Sequence, residues 1–124
     1  DLWVLMEGDT LGASMILNQN QPADYQSIPW EVAAAPEKVT VIHTLCVPPS
    51  QAGKGYGRKM VQFGIAESRR QGMTAMRLDT AKGNAPATAL YTGCGFSIRG
   101  VREVLHQGLI PEELIFFELG LSNP

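Results

Sequence analysis

The chain has 124 residues, 44 % of them hydrophobic and 18 % charged, with a formal net charge of −2. That length and mixture describe one globular domain with its own core, and exclude a disordered chain, which needs few apolar groups and a high net charge. The charge balance speaks against nucleic acid as a partner, no run approaches the roughly 18 apolar residues of a membrane span, and two cysteines, Cys46 and Cys94, make no disulfide framework.

Leu2 to Met6 and Leu11 to Leu17 read as a β-hairpin turned by Glu7-Gly8-Asp9. Asn18 to Pro36 is irregular, with a short helix possible over Trp30 to Ala35; a loop this long in a small domain is functional or mobile. Val39 to Val47 is β-branched and apolar on both faces, as a central strand should be, and Pro48-Pro49 stops it. A glycine-rich turn leads into a helix over Lys59 to Arg70, with Met60, Val61, Gly64, Ile65 and Ser68 on one side and Arg69, Arg70 and Gly72 ending it. Met73 to Asp79 is the next strand, Pro86 opens a short helix through Tyr91, and Phe96 to Val104 and Leu114 to Leu119 are the last strands. The order β-β-β-α-β-α-β-β predicts an α/β (α+β) fold: a mixed, mostly antiparallel sheet around a central parallel βαβ unit. The cysteines read as small buried hydrophobes. The absence of a basic start leading into an apolar run, taken with them, predicts a cytoplasmic protein.

A strand that ends in a glycine-rich turn and opens into a helix is a ready anion site. A plain turn would need one glycine; here Gly53, Gly55 and Gly57 alternate with Lys54, Tyr56 and Arg58. A Walker loop needs Ser or Thr after its lysine, and Lys54 has neither. A dinucleotide fingerprint needs G-x-G-x-x-G with an acid about 20 residues on; the third glycine comes one residue early, and Asp79 is a loose match.

The segment Val47 to Arg58 resembles motif A of the GCN5-related N-acetyltransferases, read [QR]-x-x-G-x-[GA] after a central strand. Arg77-Leu78-Asp79-Thr80, Asn84, Ala89-Leu90-Tyr91 and Gly95-Phe96 resemble the family's motif B at family spacing and in family order. The resemblance covers roughly residues 2 to 120, with its specific core at 39–98. Two departures stand out. The [QR] position falls on Ala52, with Gln51 one residue early. Relatives also carry a strand and one or two helices before the hairpin, so the resemblance implies a single domain over 1–124, shortened at its N-terminus.

The resemblance implies an acetyl-CoA-dependent N-acetyltransferase that needs no metal. It would act by direct attack of a primary amine, either a small molecule or a peptide N-terminus. It implies a pantetheine arm paired along strand 39–47, with the Leu45 N–H on the acetyl carbonyl and backbone contacts from Cys46 and Val47. Gly53, Lys54, Gly55, Tyr56, Gly57 and Arg58 would hold the pyrophosphate. Asn84 would contact the arm or merely cap its helix. Tyr91 aligns with the tyrosine that protonates the leaving thiolate, or packs its helix on the sheet. A strand position where relatives often have Glu is Val41 here; His43, two residues on and on the same face, is either the base or a hydrogen-bonded core histidine. Asp24, Tyr25, Trp30 and Glu31 would line the acceptor pocket, their acids and aromatics suiting a cationic amine. His106, Glu112 and Glu113 would close its other side or be solvated surface. Homodimers are expected from the apolar first strand and from the resemblance. A second class is a non-catalytic acyl-CoA-binding sensor or interaction module with the same fold, favoured by the missing front wall and missing strand Glu.

Overall fold

The computed structural model describes residues 1–106 and 110–121, and of His106 the backbone alone. Six strands form one sheet in the order β1-β2-β3-β4-β6-β5: β1 Leu2–Glu7, β2 Thr10–Asn18, β3 Val39–Cys46, β4 Ala75–Ala81, β5 Ser97–His106 and β6 Ile110–Gly120. Among the described residues only β3 and β4 run parallel; the other four pairings are antiparallel. Helix α1, Tyr56–Arg70, makes the β3–β4 crossover, and α2, Ala85–Gly93, joins β4 to β5.

Both faces of the sheet are covered, so the central strands lose the alternation of a half-exposed sheet. Val39, Thr40, Val41 and Ile42 are all buried in β3, and Ile115, Phe116, Phe117 and Glu118 in β6. On the helical face Met15, Leu17, Ile42, Met76, Leu78 and Phe117 pack with Met60, Val61 and Ile65 of α1 and Tyr91 of α2. Gly64 lets α1 come close, since a Cβ there would lie 3.0 Å from Cε of Met15. The helix ends in a paired C-terminal motif, with the Gly72 N–H on the Arg69 carbonyl and the Met73 N–H on that of Ser68, both at 3.0 Å.

The opposite face is covered by residues 19–38, a strap between β2 and β3. It carries 3-10 turns at Ala23–Ser27 and Pro36–Lys38, while Trp30 to Ala35 is not helical, contrary to the expectation above. Pro29 and a lone turn's worth of residues give a helix no room to nucleate. Instead Tyr25 and Ile28 pack on Val39, Val41 and Phe116. A buried ion pair anchors the strap: Arg77 of β4 donates to Glu118 of β6 at 2.8 Å. The Arg77 guanidinium also reaches Gln21 and the Val32 carbonyl, each at 2.9 Å, and stacks 4.5 Å from the Trp30 ring centre. Glu118 accepts the backbone N–H groups of Glu31 and Val32. The strap thus supplies the hydrogen bonds that a buried pair needs.

Candidate active site

β3 and β4 pair over only three rungs, Val39↔Ala75, Thr40↔Met76 and Val41↔Arg77. Both strands continue, β3 to Cys46 and β4 to Ala81, without pairing to each other. The sheet therefore opens into a fork, and backbone groups that β3 turns away from β2 beyond Val41 meet no strand. Within the fork Thr44 adopts φ +52°, a costly conformation for a β-branched residue. It lies where three steps of β3, His43 to Cys46, face two of β2, Ile16 to Ser14, so it is a bulge. The bulge leaves Cys46 exposed and Leu45 half-buried. The expectation of a buried Cys46 is corrected by it: the strand reaches past the core onto the open lip. Cys94 is half-buried.

At the mouth of the fork the glycine turn runs into α1. The helix starts at Tyr56, three residues earlier than the apolar spacing predicts, because Gly55 caps it at φ +78° and Gly53 turns the chain at φ +82°. A Cβ at either glycine would meet no atom within 4 Å, so their outer side is open. The first helical hydrogen bond is from the Lys59 N–H to the Gly55 carbonyl; the N–H groups before it have no helix carbonyl to meet. This is an exposed row of donors at a positive helix end, with Lys54 and Arg58 exposed beside it. An anionic diphosphate fits there. The Tyr56 side chain does not face it: its ring is buried against Gly12, and its hydroxyl bonds the Glu7 carboxylate. Only the Tyr56 backbone N–H remains for a ligand.

Three polar groups lie about the fork, and Asp79 interacts through charge with both of the others, His43 and Tyr91. His43 projects from β3, with Nε2 2.7 Å from the side-chain oxygen of Asn18. Asp79 projects from β4, and its Oδ2 accepts the Tyr25 hydroxyl at 2.7 Å. Burial pushes the Asp79 carboxyl above the ordinary carboxylate range; the Tyr25 hydroxyl and His43 pull it down, and Asp24 and Glu112 push it further up. Tyr91, in the last turns of α2, is buried beside Phe96 and Phe117. Burial, then Cys94 and Asp79, raise its phenol to about 12. Asn84 caps α2, accepting the Ala87 N–H at 3.1 Å.

Of the acceptor-pocket residues expected from the sequence, Tyr25 is buried on Asp79 and Trp30 is half-buried on Arg77, its indole N–H donating to the Tyr25 carbonyl at 2.9 Å. Asp24 and Glu31 are exposed on the strap. Glu112 and Glu113 are exposed near the start of β6, and the His106 side chain lies outside the described residues. Asp79 was missed as a site residue. Its signal was the alternation in β4, which sets Arg77 and Asp79 on the face opposite Met76 and Leu78. Among the described residues no three His, Cys, Asp or Glu side chains gather as metal ligands, and no helix is long and apolar enough to cross a membrane.

Comparison with known proteins agrees with this geometry. The sequence profile of the Acetyltransferase (GNAT) family matches residues 2–96. A streptothricin acetyltransferase of Escherichia coli is 31 % identical over 72 residues, 58 % of this chain and 38 % of its own. A mycothiol acetyltransferase of Corynebacterium urealyticum is 32 % identical over 76 residues, 60 % of this chain and 22 % of its own. The chain thus spans well under half the length of these curated relatives. A putative acetyltransferase from Salmonella typhimurium, solved with its cofactor acetyl-CoA, superposes with a TM-score of 0.78 at 21 % identity, covering 99 % of this chain and 65 % of its own, and so shares the fold. With its forked sheet, glycine-capped helix and motif order, the chain belongs to the GNAT family of acetyltransferases.

Proposed function

We propose that this chain binds acetyl-CoA along the β3–β4 fork and transfers the acetyl group to a primary amine by direct attack. The observation that carries this reading is the three-rung β3–β4 pairing, which leaves an unpaired strand edge leading to the exposed N–H groups at the start of α1. An extended, amide-bearing arm that ends in a diphosphate matches both features.

The roles follow from placement. Backbone N–H groups of Gly53 to Arg58 hold the diphosphate, with Lys54 and Arg58 adding charge. Leu45 and Cys46 of β3, with Val47 just beyond it, pair with the arm, and the Leu45 N–H polarises the thioester carbonyl; a donor aimed at developing charge is worth several kcal/mol. His43 takes one proton from the amine as its nitrogen bonds the acetyl carbon. As the carbon–sulfur bond breaks, Tyr91 gives its proton to the thiolate, which its high proton affinity allows only toward a nearby, poorly solvated sulfur. Asp79 and the strap residues Asp24, Tyr25, Trp30 and Glu31 form the acceptor side. Relatives named for streptothricin and mycothiol support a small-molecule acceptor.

Release of free thiol from acetyl-CoA with a panel of primary amines tests the reading. Tight coenzyme A binding in calorimetry, with no thiol release from any amine, would instead make the chain a non-catalytic acyl-CoA-binding module. We also infer a homodimer. β1 is an edge strand whose Leu2, Val4 and Met6 are exposed, and such an edge invites a second strand. A clean monomer in sedimentation at about 50 μM, a concentration where weak interfaces are populated, would remove that inference.

A further inference from the structure

The side-chain oxygen of Asn18 has two neighbours: His43 Nε2 at 2.7 Å and the Asn20 backbone N–H at 2.9 Å. A backbone amide only donates. The Asn18 atom facing it is therefore the carbonyl oxygen and not the NH2. That same oxygen faces the imidazole, and it can only accept. Nε2 must carry a hydrogen, and in the neutral ring the lone pair is then on Nδ1. The sheet makes the contact: Asn18 pairs with Val41 and Ile16 with His43, so Asn18 and His43 are diagonal neighbours on one face of β2 and β3.

We propose that Asn18 is a positioning residue that holds His43 in the Nε2–H tautomer, making Nδ1 the atom that takes the acceptor's proton. The inference rests on the reading of His43 as the base given above. In the step itself the amine N–H bond breaks, an Nδ1–H bond forms, and the ring becomes an imidazolium. The Nε2–H bond to Asn18 persists and becomes charge-assisted, so the same contact serves both protonation states. Asn also differs from an acid here in its effect on basicity: it orients the ring without a charge that would favour the imidazolium before the amine arrives. The charge that His43 interacts with lies on another element, Asp79 on β4, and Asp79 in turn interacts with Asp24 on the strap and Glu112 on β6.

The ring nitrogens of His43 report this directly in long-range ¹⁵N–¹H spectra of the whole chain. The expected spectrum of the neutral ring has a pyrrole-like Nε2 and a pyridine-like Nδ1. In Asn18→Ala the two tautomers should mix, and kcat/KM should fall about tenfold, part of the roughly 10²- to 10⁴-fold that a positioned base supplies, while coenzyme A affinity is unchanged. Asn18→Asp keeps both acceptor bonds and adds a negative charge. The acid limb of kcat/KM should then move to higher pH by about one unit or more. An Nδ1–H tautomer in the native chain, or ring shifts that stay the same in Asn18→Ala, overturns the proposal. Full turnover in His43→Gln overturns His43 as base and with it the role of Nδ1. The ring shifts separate that failure from a failure of Asn18 to set the tautomer.

Discussion

The Tyr25 hydroxyl donates a 2.7 Å hydrogen bond to Oδ2 of Asp79, tying the middle of the strap to the β4 lip of the fork. Both partners resist ionisation. Burial leads in each case, and each partner's pKa is raised.

The consequence for stability has a definite sign. The folded chain holds the Asp79 proton more tightly than the unfolded chain does. The stability this gives is complete below the ordinary Asp value of about 4, and is lost as pH rises through the folded value. Asp79→Asn keeps an oxygen for Tyr25 and removes the titration. Urea unfolding of both proteins from pH 4 to 8 should show the variant gaining on the native chain as pH rises. A constant difference across that range would refute the coupling.

Tyr91→Phe keeps the ring between Phe96 and Phe117 and deletes only the hydroxyl. If this hydroxyl protonates the leaving thiolate, kcat should fall by about 10²-fold with the KM for acetyl-CoA nearly unchanged. Because burial lifts the phenol to about 12, Tyr91 remains a proton donor throughout the neutral range, and its own ionisation should not bend the rate profile there. A fully active variant would leave Tyr91 a packing residue.

Gly55→Asp sets a negative charge where the first N–H groups of α1 face outward. The position has φ +78° with no atom near its Cβ, and Asp is among the residues that tolerate that backbone. The fold should therefore survive at a cost of about 1 kcal/mol. Coenzyme A affinity should drop at least tenfold, about 1.4 kcal/mol in calorimetry. Unchanged affinity in the folded variant would move the diphosphate elsewhere.

Glu118→Gln tests the anchor under the strap. The amide oxygen can still accept the Glu31 and Val32 N–H groups, but Arg77 is left as a buried charge without its counter-ion. A loss of about 3 kcal/mol or more is expected in denaturant unfolding. A loss under about 1 kcal/mol would mean that the other Arg77 contacts carry the anchor.

The element order and the cradle were legible because their signals are local. Pro48-Pro49 ends a strand, alternating glycines start a helix, and Asn84 with Pro86 caps another. What escaped depends on contacts across the chain. The bulge at Thr44 has no turn residue to announce it, so Cys46 looked like core. Tyr56 sits within the cradle by position, yet its ring is needed against Gly12 and its hydroxyl at Glu7. The strap reads as a polar loop, and only Arg77 and Glu118, 41 residues apart, reveal it as the cover of a second core. β5 runs on to His106 and β6 starts at Ile110 rather than Leu114, because backbone pairing of Leu105 with Pro111 and of His106 with Ile110 carries the hairpin past Glu112 and Glu113, where the apolar pattern stops.

The three rungs of β3–β4 have a mechanical meaning. They are the seam between two three-stranded blocks, β1-β2-β3 and β4-β6-β5. Helix α1 stitches this seam on one side, with Gly64 between Met15 and Met76, and the strap stitches it on the other, through Tyr25 and Gln21. The line along which the molecule is least well sewn is also the line where a ligand's arm would lie. Such a ligand would act as a seventh strand, closing the gap between the blocks and turning two loosely joined halves into one continuous sheet.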